Sequence, residues 1–184
     1  MKKKRIFFGF PIDKILTGKL IDFKEKIVQN RNYNIEYKWV KAENYHLTLL
    51  FVGSVFEDEI ALICNKAEKI LAKVSDFNLK QVHFIAFPTR KPKMIWLKFE
   101  HSHTFENIVL DFRKSFLESD KLSQAIPHIT LARIKRGSMK EQMWGINDKV
   151  NLQCNTVHLY ESELTPDGPI YTILKTFDLN IKPI

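Results

Sequence analysis

The stretch His46-Leu47-Thr48-Leu49-Leu50-Phe51-Val52 decides how the rest of the chain is read. It is apolar and β-prone apart from its first and third members, so it predicts a strand. Side chains alternate across a strand, which puts His46 and Thr48 on one face and Leu47 and Leu49 on the other. One face can pack in a core while the other presents an imidazole beside a hydroxyl. The same tetrad, histidine-apolar-threonine-apolar, returns at His128-Ile129-Thr130-Leu131, within a strand expected over residues 128–134.

Outward from the first tetrad, Tyr37 to Val40 reads as a strand, with Glu43-Asn44 as the turn that follows. Arg5 to Phe10 reads as an earlier strand. Pro11-Ile12-Asp13 then leads into a helix whose Ile15, Leu16, Leu20, Phe23 and Ile27 fall on one face. Glu57 to Val74 predicts a second helix, with Ile60, Ile63, Ala67, Ile70 and Leu71 inward. The second half uses the same grammar. Strands over Val82–Phe87 and Met94–Phe99 flank the basic loop Pro88 to Lys93, and a helix follows over His103–Leu117. Two further strands, Leu152–Leu164 and Ile170–Leu179, meet at the Thr165-Pro166-Asp167-Gly168-Pro169 turn. Strand, helix and His-x-Thr strand thus occur once in each half, which points to a mixed α and β chain with two similar lobes in one folding unit, residues 1–184.

If the two tetrads face each other across a cleft, two imidazoles and two hydroxyls converge on one small volume. In-line attack on a phosphodiester needs a base on one side of phosphorus and an acid on the other, and histidine serves either role near neutral pH. The hydroxyls of Thr48 and Thr130 can donate to the non-bridging oxygens as charge grows there.

The bulk numbers agree with such a substrate. The 184 residues carry a net charge of +8, and 45% are apolar, including 14 Phe. That is enough for a sizeable core, and it disfavours disorder. The basic excess suits an anionic partner. The two cysteines, Cys64 and Cys154, lack CxxC spacing and form neither a disulfide framework nor a thiolate metal cluster. Lys2-Lys3-Lys4-Arg5 imitates the start of a signal peptide, but Asp13 interrupts the apolar run and no small-residue cleavage site follows. A soluble, cytoplasmic protein is expected, with no membrane partner and no obligate protein partner.

The other histidines read differently. His101-Ser102-His103 places two imidazoles together, but no third ligand is spaced nearby, so a solvated helix start is the expectation and no metal is assigned. His83 and His158 lack a Thr two places on and read as structural. Arg90, Lys91 and Lys93, with Lys135-Arg136, either extend a basic track for RNA or are ordinary loop charge.

These motifs carry a resemblance to a family. Arg5-Ile6-Phe7-Phe8-Gly9-Phe10, Trp39 to Leu49, Phe51-Val52-Gly53, Pro127 to Arg133, Leu159-Tyr160-Glu161-Ser162-Glu163-Leu164 and Gly168-Pro169-Ile170-Tyr171 together resemble the 2H phosphoesterases. Within that superfamily the likeness is to the RNA 2',3'-cyclic phosphodiesterases, also described as 2'-5' RNA ligase-like proteins, and it covers nearly the whole chain. It implies a bilobal α+β fold, with two lobes of antiparallel sheet flanking a central catalytic cleft and helices outside. It also implies hydrolysis of an RNA 2',3'-cyclic phosphate end to a 2'-phosphate, without cofactor or metal. The roles implied are His46 as proton donor and His128 as proton acceptor, with Arg133 on phosphate and Phe51 stacked on a base. Arg133 and Phe51 each lie an odd number of residues beyond their histidine, so a regular strand would turn them to the opposite face unless a bulge intervenes. For Phe51, core and base-stacking readings both stand. RNA ligation and non-catalytic nucleotide binding are the alternatives to hydrolysis.

Overall fold

The computed structural model describes residues 2–29, 35–117, 125–137, 143–144 and 151–180. Strand β1 (Lys3–Pro11) opens the chain, and its residues Ile6 to Phe10 are all buried. The Asp13 carboxylate then accepts the Leu16 amide at 2.7 Å, supplying the cap that starts α1 (Lys14–Gln29). After β2 (Glu36–Trp39) a single 3-10 turn, Ala42–Asn44, leads into β3 (His46–Phe56). Helix α2 (Ile60–Leu71), β4 (Phe77–Phe87), β5 (Met94–Phe99) and α3 (His103–Phe116) follow. The remaining strands are β6 (His128–Arg136), β7 (Met143–Trp144), β8 (Asn151–Cys154), β9 (Thr156–Thr165) and β10 (Gly168–Asp178).

Among the described residues the strands form one curled antiparallel sheet in the order β10-β9-β1-β3-β6-β5-β4-β7, with β2 beside β6 and β8 beside β4. Its two halves, β10-β9-β1-β3 and β6-β5-β4, meet between β3 and β6 at the register pair Leu47 with Ile129. Beyond that pair the strands part, and β2 takes the place beside β6 that β3 leaves, from Trp39 opposite Ala132 to Glu36 opposite Arg136. The α+β, two-lobed expectation holds.

Alternation on β1 sorts its side chains between two compartments. Ile6, Phe8 and Phe10 join the core, where Phe8 meets Phe112 of α3 edge-on at 4.9 Å. Phe7, from the opposite face, lies 4.8 Å from the His46 ring. Burying side chains of this size stabilises by about 1.5–3 kcal/mol each. Helix α3 sinks Phe105, Ile108, Val109 and Phe112, and α1 reaches the second half by stacking Phe23 on Phe84 at 3.5 Å.

Several boundaries differ from the sequence reading. The strand expected over 152–164 breaks at Asn155. Its first part, β8, pairs with β4, and its second, β9, pairs with β1 and β10. The apolar phase slips here, from Leu152 and Cys154 to Val157 and Leu159, but a slip does not say that the two parts join different strands. Strand β4 begins at Phe77 rather than Val82, since Phe77, Leu79 and Gln81 already alternate inward. The helix expected over 57–74 opens as a 3-10 turn, Glu57–Glu59, and its α part ends at Leu71.

Candidate active site

All six residues singled out in the sequence, His46, Thr48, Phe51, His128, Thr130 and Arg133, line one cavity of about 870 Å³ between the two halves of the sheet. The antiparallel pair Leu47 and Ile129 explains why. Flanking residues on the other face of β3 and β6 are His46 and Thr48 from one strand, His128 and Thr130 from the other. Diagonal neighbours on such a face are roughly 7–8 Å apart.

The two histidines are held alike. His46 Nδ1 lies 2.8 Å from the carbonyl of Asn44, and His128 Nδ1 lies 2.7 Å from the carbonyl of Ile126. A carbonyl can only accept, so Nδ1 carries the proton in each ring and Nε2 is left for chemistry. His46 Nε2 is 2.9 Å from the Thr48 hydroxyl. Burial lowers both pKa values below the ordinary histidine value. The carbonyl bonds oppose that shift, and the charge of His128 lowers His46 further.

The bulge on which Phe51 and Arg133 depend occurs in both tetrads at the same place. Pairing of β1 with β3 steps from Phe8–Leu50 to Gly9–Thr48, leaving Leu49 unpaired. Pairing of β5 with β6 steps from Ile95–Ala132 to Trp96–Thr130, leaving Leu131 unpaired. One extra residue reverses the parity of everything beyond it. Phe51 and Arg133, each five residues past its histidine, therefore return to the cavity face. Phe51 is 52% exposed, which removes the core reading. Arg133 is also exposed and its Nη1 rests against Met94 Sδ at 4.0 Å.

Other contributors were not legible in the tetrads. The Trp96 indole stacks on His128 at 3.7 Å, backed by Phe87 at 3.8 Å. Tyr171 meets His46 edge-on at 5.4 Å. Burial raises the Tyr171 pKa, while the nearby charges of Arg133 and Arg5 pull it down. Asn44 anchors that corner, since its side-chain amide donates to the Pro169 carbonyl at 2.8 Å while its own carbonyl holds His46. The family-like stretches Trp39 to Leu49 and Gly168 to Tyr171 contain Asn44, Pro169 and Tyr171, whereas nothing in the sequence singled out Phe87 or Trp96.

The remaining histidines lie outside the cavity lining. Ser102 caps α3 by accepting the Phe105 amide, as a helix start requires, and His103 opens the helix. Glu106 comes within 3.0 Å of His101 Nε2, a third potential ligand that spacing alone did not suggest; these three exposed or half-exposed groups are the metal-competent cluster among the described residues. His158 Nδ1 lies 3.1 Å from the Thr176 hydroxyl.

Comparison with known proteins agrees with this architecture. The profile of the family described as LigT like Phosphoesterase matches residues 24–96. Proteins named RNA 2',3'-cyclic phosphodiesterase from Aquifex aeolicus and Methanothermobacter thermautotrophicus are 27% and 26% identical. Those matches cover 97% and 96% of this chain and 99% and 100% of the relatives. Among solved structures, a Thermus thermophilus protein superposes with a TM-score of 0.79 at 24% identity, over 97% of this chain and 100% of its own. LigT of E. coli complexed with 3'-AMP gives 0.78 at 22% identity, over 97% and 99%. A shared fold along nearly the full length, a profile matching residues 24–96 and relatives of one name converge: the chain is similar to the LigT-like phosphoesterases.

Proposed function

We propose that this protein hydrolyses the 2',3'-cyclic phosphate at an RNA end to a 2'-phosphate, by metal-independent acid–base catalysis. The observation that carries the reading is the matched tethering of His46 and His128 through Nδ1, which leaves Nε2 of each, that of His46 beside the Thr48 hydroxyl, to exchange a proton. Nε2 of His128 takes a proton from water as its oxygen bonds to phosphorus. The bond from phosphorus to the 3'-oxygen breaks, and Nε2–H of His46 protonates the departing oxygen. Thr48, Thr130 and Arg133 donate to the non-bridging oxygens, where a positioned donor is most effective. Phe51 offers an exposed ring to the terminal base.

Relatives of the same name along nearly the whole chain support the substrate class, and the 3'-AMP complex of E. coli LigT supports a nucleotide ligand. The metal-competent cluster among the described residues, His101, His103 and Glu106, lies outside the cavity lining and includes neither His46 nor His128. No helix among the described residues is long and apolar enough to cross a membrane. The unpaired Cys64 and Cys154 fit a reducing, cytoplasmic setting.

The deciding assay incubates an oligonucleotide ending in a 2',3'-cyclic phosphate with the protein in EDTA and identifies the product. A 2'-phosphate is expected at the rate seen without chelator. A 3'-phosphate, loss of activity restored by a divalent metal, or binding without turnover would reject the reading. Net joining of the cyclic end to a 5'-hydroxyl RNA would assign ligation instead.

A further inference from the structure

We propose that the corner formed by β2, β6 and the loop between β4 and β5 is a track for RNA phosphates upstream of the reacting end, making a polynucleotide the preferred substrate over a free cyclic nucleotide. The inference rests on the reading above and names the class of substrate it serves. Its basis is the way the fold gathers three segments that are far apart in the chain.

Lys38 of β2 pairs opposite Arg133 of β6, and Arg133 pairs opposite Met94 of β5; all three line the cavity. One step further out, Glu36 pairs opposite Arg136. The β4–β5 loop is fastened to the same place, because the Lys93 carbonyl accepts the Ile134 amide at 2.8 Å. That bond sets Arg90, Lys91 and Lys93 beside the end of β6. The six basic side chains are all exposed, and Glu36 is the acid among them. Among the described residues none of the six makes a salt bridge.

The side of the cavity formed by the other half of the sheet has another character. Phe51, Pro169 and Tyr171 line it with Asp167, an apolar wall bearing an acid. A strand whose last base meets that wall would therefore carry its upstream phosphates toward the basic corner. From Arg133 to Arg136 the strand advances about 10 Å at the usual rise per residue, enough for more than one phosphate. Backbone neutralisation of this kind gives affinity without base choice, and the elements that form the row are rigid strands.

The test compares two substrates of one chemistry, a 2',3'-cyclic mononucleotide and an RNA octamer ending in the same cyclic phosphate. The variant carries Arg90→Glu, Lys91→Glu and Arg136→Glu, three exposed positions away from the histidines. KM for the octamer should rise about tenfold or more, while kcat/KM for the mononucleotide stays within about twofold. In the wild type, the salt slope for octamer binding should be steeper by about 2 than that for the mononucleotide, as expected for some three released counterions. An unchanged octamer KM, or an equal loss on both substrates, would overturn the track. Competition by polyglutamate as effective as by RNA of equal length would assign the surface to an acidic protein and overturn it as well. Fluorescence anisotropy of a labelled octamer bearing the 2'-phosphate reads the track without turnover. If the wild type cleaves neither substrate, the catalytic reading fails while the track is still measured.

Discussion

The imidazole of His128 lies face to face with the indole of Trp96, ring centroids 3.7 Å apart and planes 21° from parallel. Trp96 occupies the register place opposite Thr130; in the other half of the sheet the place opposite Thr48 belongs to Gly9. Two histidines held by the same kind of carbonyl bond thus meet different neighbours, one a large ring and one a missing side chain. Trp96→Phe should preserve the stack and keep kcat within about tenfold of wild type, because an aromatic pair contributes about 0.5–1.5 kcal/mol beyond burial. Trp96→Ala should lose more, and destabilise by about 3–5 kcal/mol. Steady-state kinetics beside thermal unfolding separates the two effects; wild-type kcat in a folded Trp96→Ala protein would show that the stack does not position His128.

Gly9 makes the complementary prediction. A Cβ there would lie 3.1 Å from the Leu47 carbonyl oxygen and 3.2 Å from His46 Cδ2. The carbonyl belongs to the strand, so the imidazole has to give way. Tilting it disturbs the bonds to Asn44 and Thr48. Gly9→Ala should lower kcat up to about 10²-fold through misplacement and cost about 1–3 kcal/mol from overpacking. Titration of the His46 ring protons by NMR would report the tilt directly. An unchanged kcat and unchanged titration would sink the prediction.

Replacing the proposed acid and base should be the most damaging change. His46→Ala and His128→Ala are each expected to lower turnover by about 10²- to 10⁴-fold with the fold intact. Thr48→Ala and Thr130→Ala should cost less, about 10- to 100-fold, the scale of one hydrogen bond to a charged group. A substrate whose leaving group needs no proton should rescue His46→Ala far more than His128→Ala. Rescue of His128→Ala instead would exchange the two roles.

The pH dependence follows from the direction of the two shifts. In the free protein burial holds both histidines below the ordinary value of about 6.5. The productive form has one neutral and one protonated, so the kcat/KM bell, which reports the free enzyme, should peak on the acid side of pH ~6.5. Bound phosphate favours the protonated acid, so the kcat profile should extend to higher pH. Its limbs belong to the coupled pair rather than to either residue. A kcat/KM optimum well above neutrality would contradict the burial argument.

The same shifts bear on stability. With the folded pKa below the unfolded one, the unfolded chain binds more protons between the two values. Stability is therefore complete above about pH 6.5 and is lost as pH falls toward the lowered folded values. Thermal unfolding from pH 7.5 to 5 should show a falling midpoint, and a His46→Asn/His128→Asn protein should show a shallower fall. An identical slope in both would assign the acid sensitivity elsewhere, His83 and His158 being next in line because burial lowers them too.

The sequence by itself determined most of the elements and marked the candidate pair. Alternation around His46 and His128 is local, so it marks two strands with an imidazole and a hydroxyl on the same face whatever surrounds them. The helical spacing in α1 is equally local: Leu16, Leu20 and Phe23 are buried as expected, whereas Ile15, expected on the same face, is 70% exposed because it lies one position off the buried stripe. Tertiary structure alone decided the rest. Whether Phe51 and Arg133 face the cavity depends on the bulges at Leu49 and Leu131, and a bulge arises from the pairing of two strands rather than from the composition of either one. At Asn155 the apolar phase slips, from Leu152 and Cys154 to Val157 and Leu159, but only the pairing shows that β8 and β9 serve opposite halves of the sheet. Gly9 and Trp96 reach the histidines from distant strands across register pairs that no window of sequence contains, and Tyr171 reaches His46 from β10 without pairing with its strand. Local periodicity records which side of a strand meets apolar matter, whereas the partner on that side is set only when the chain closes.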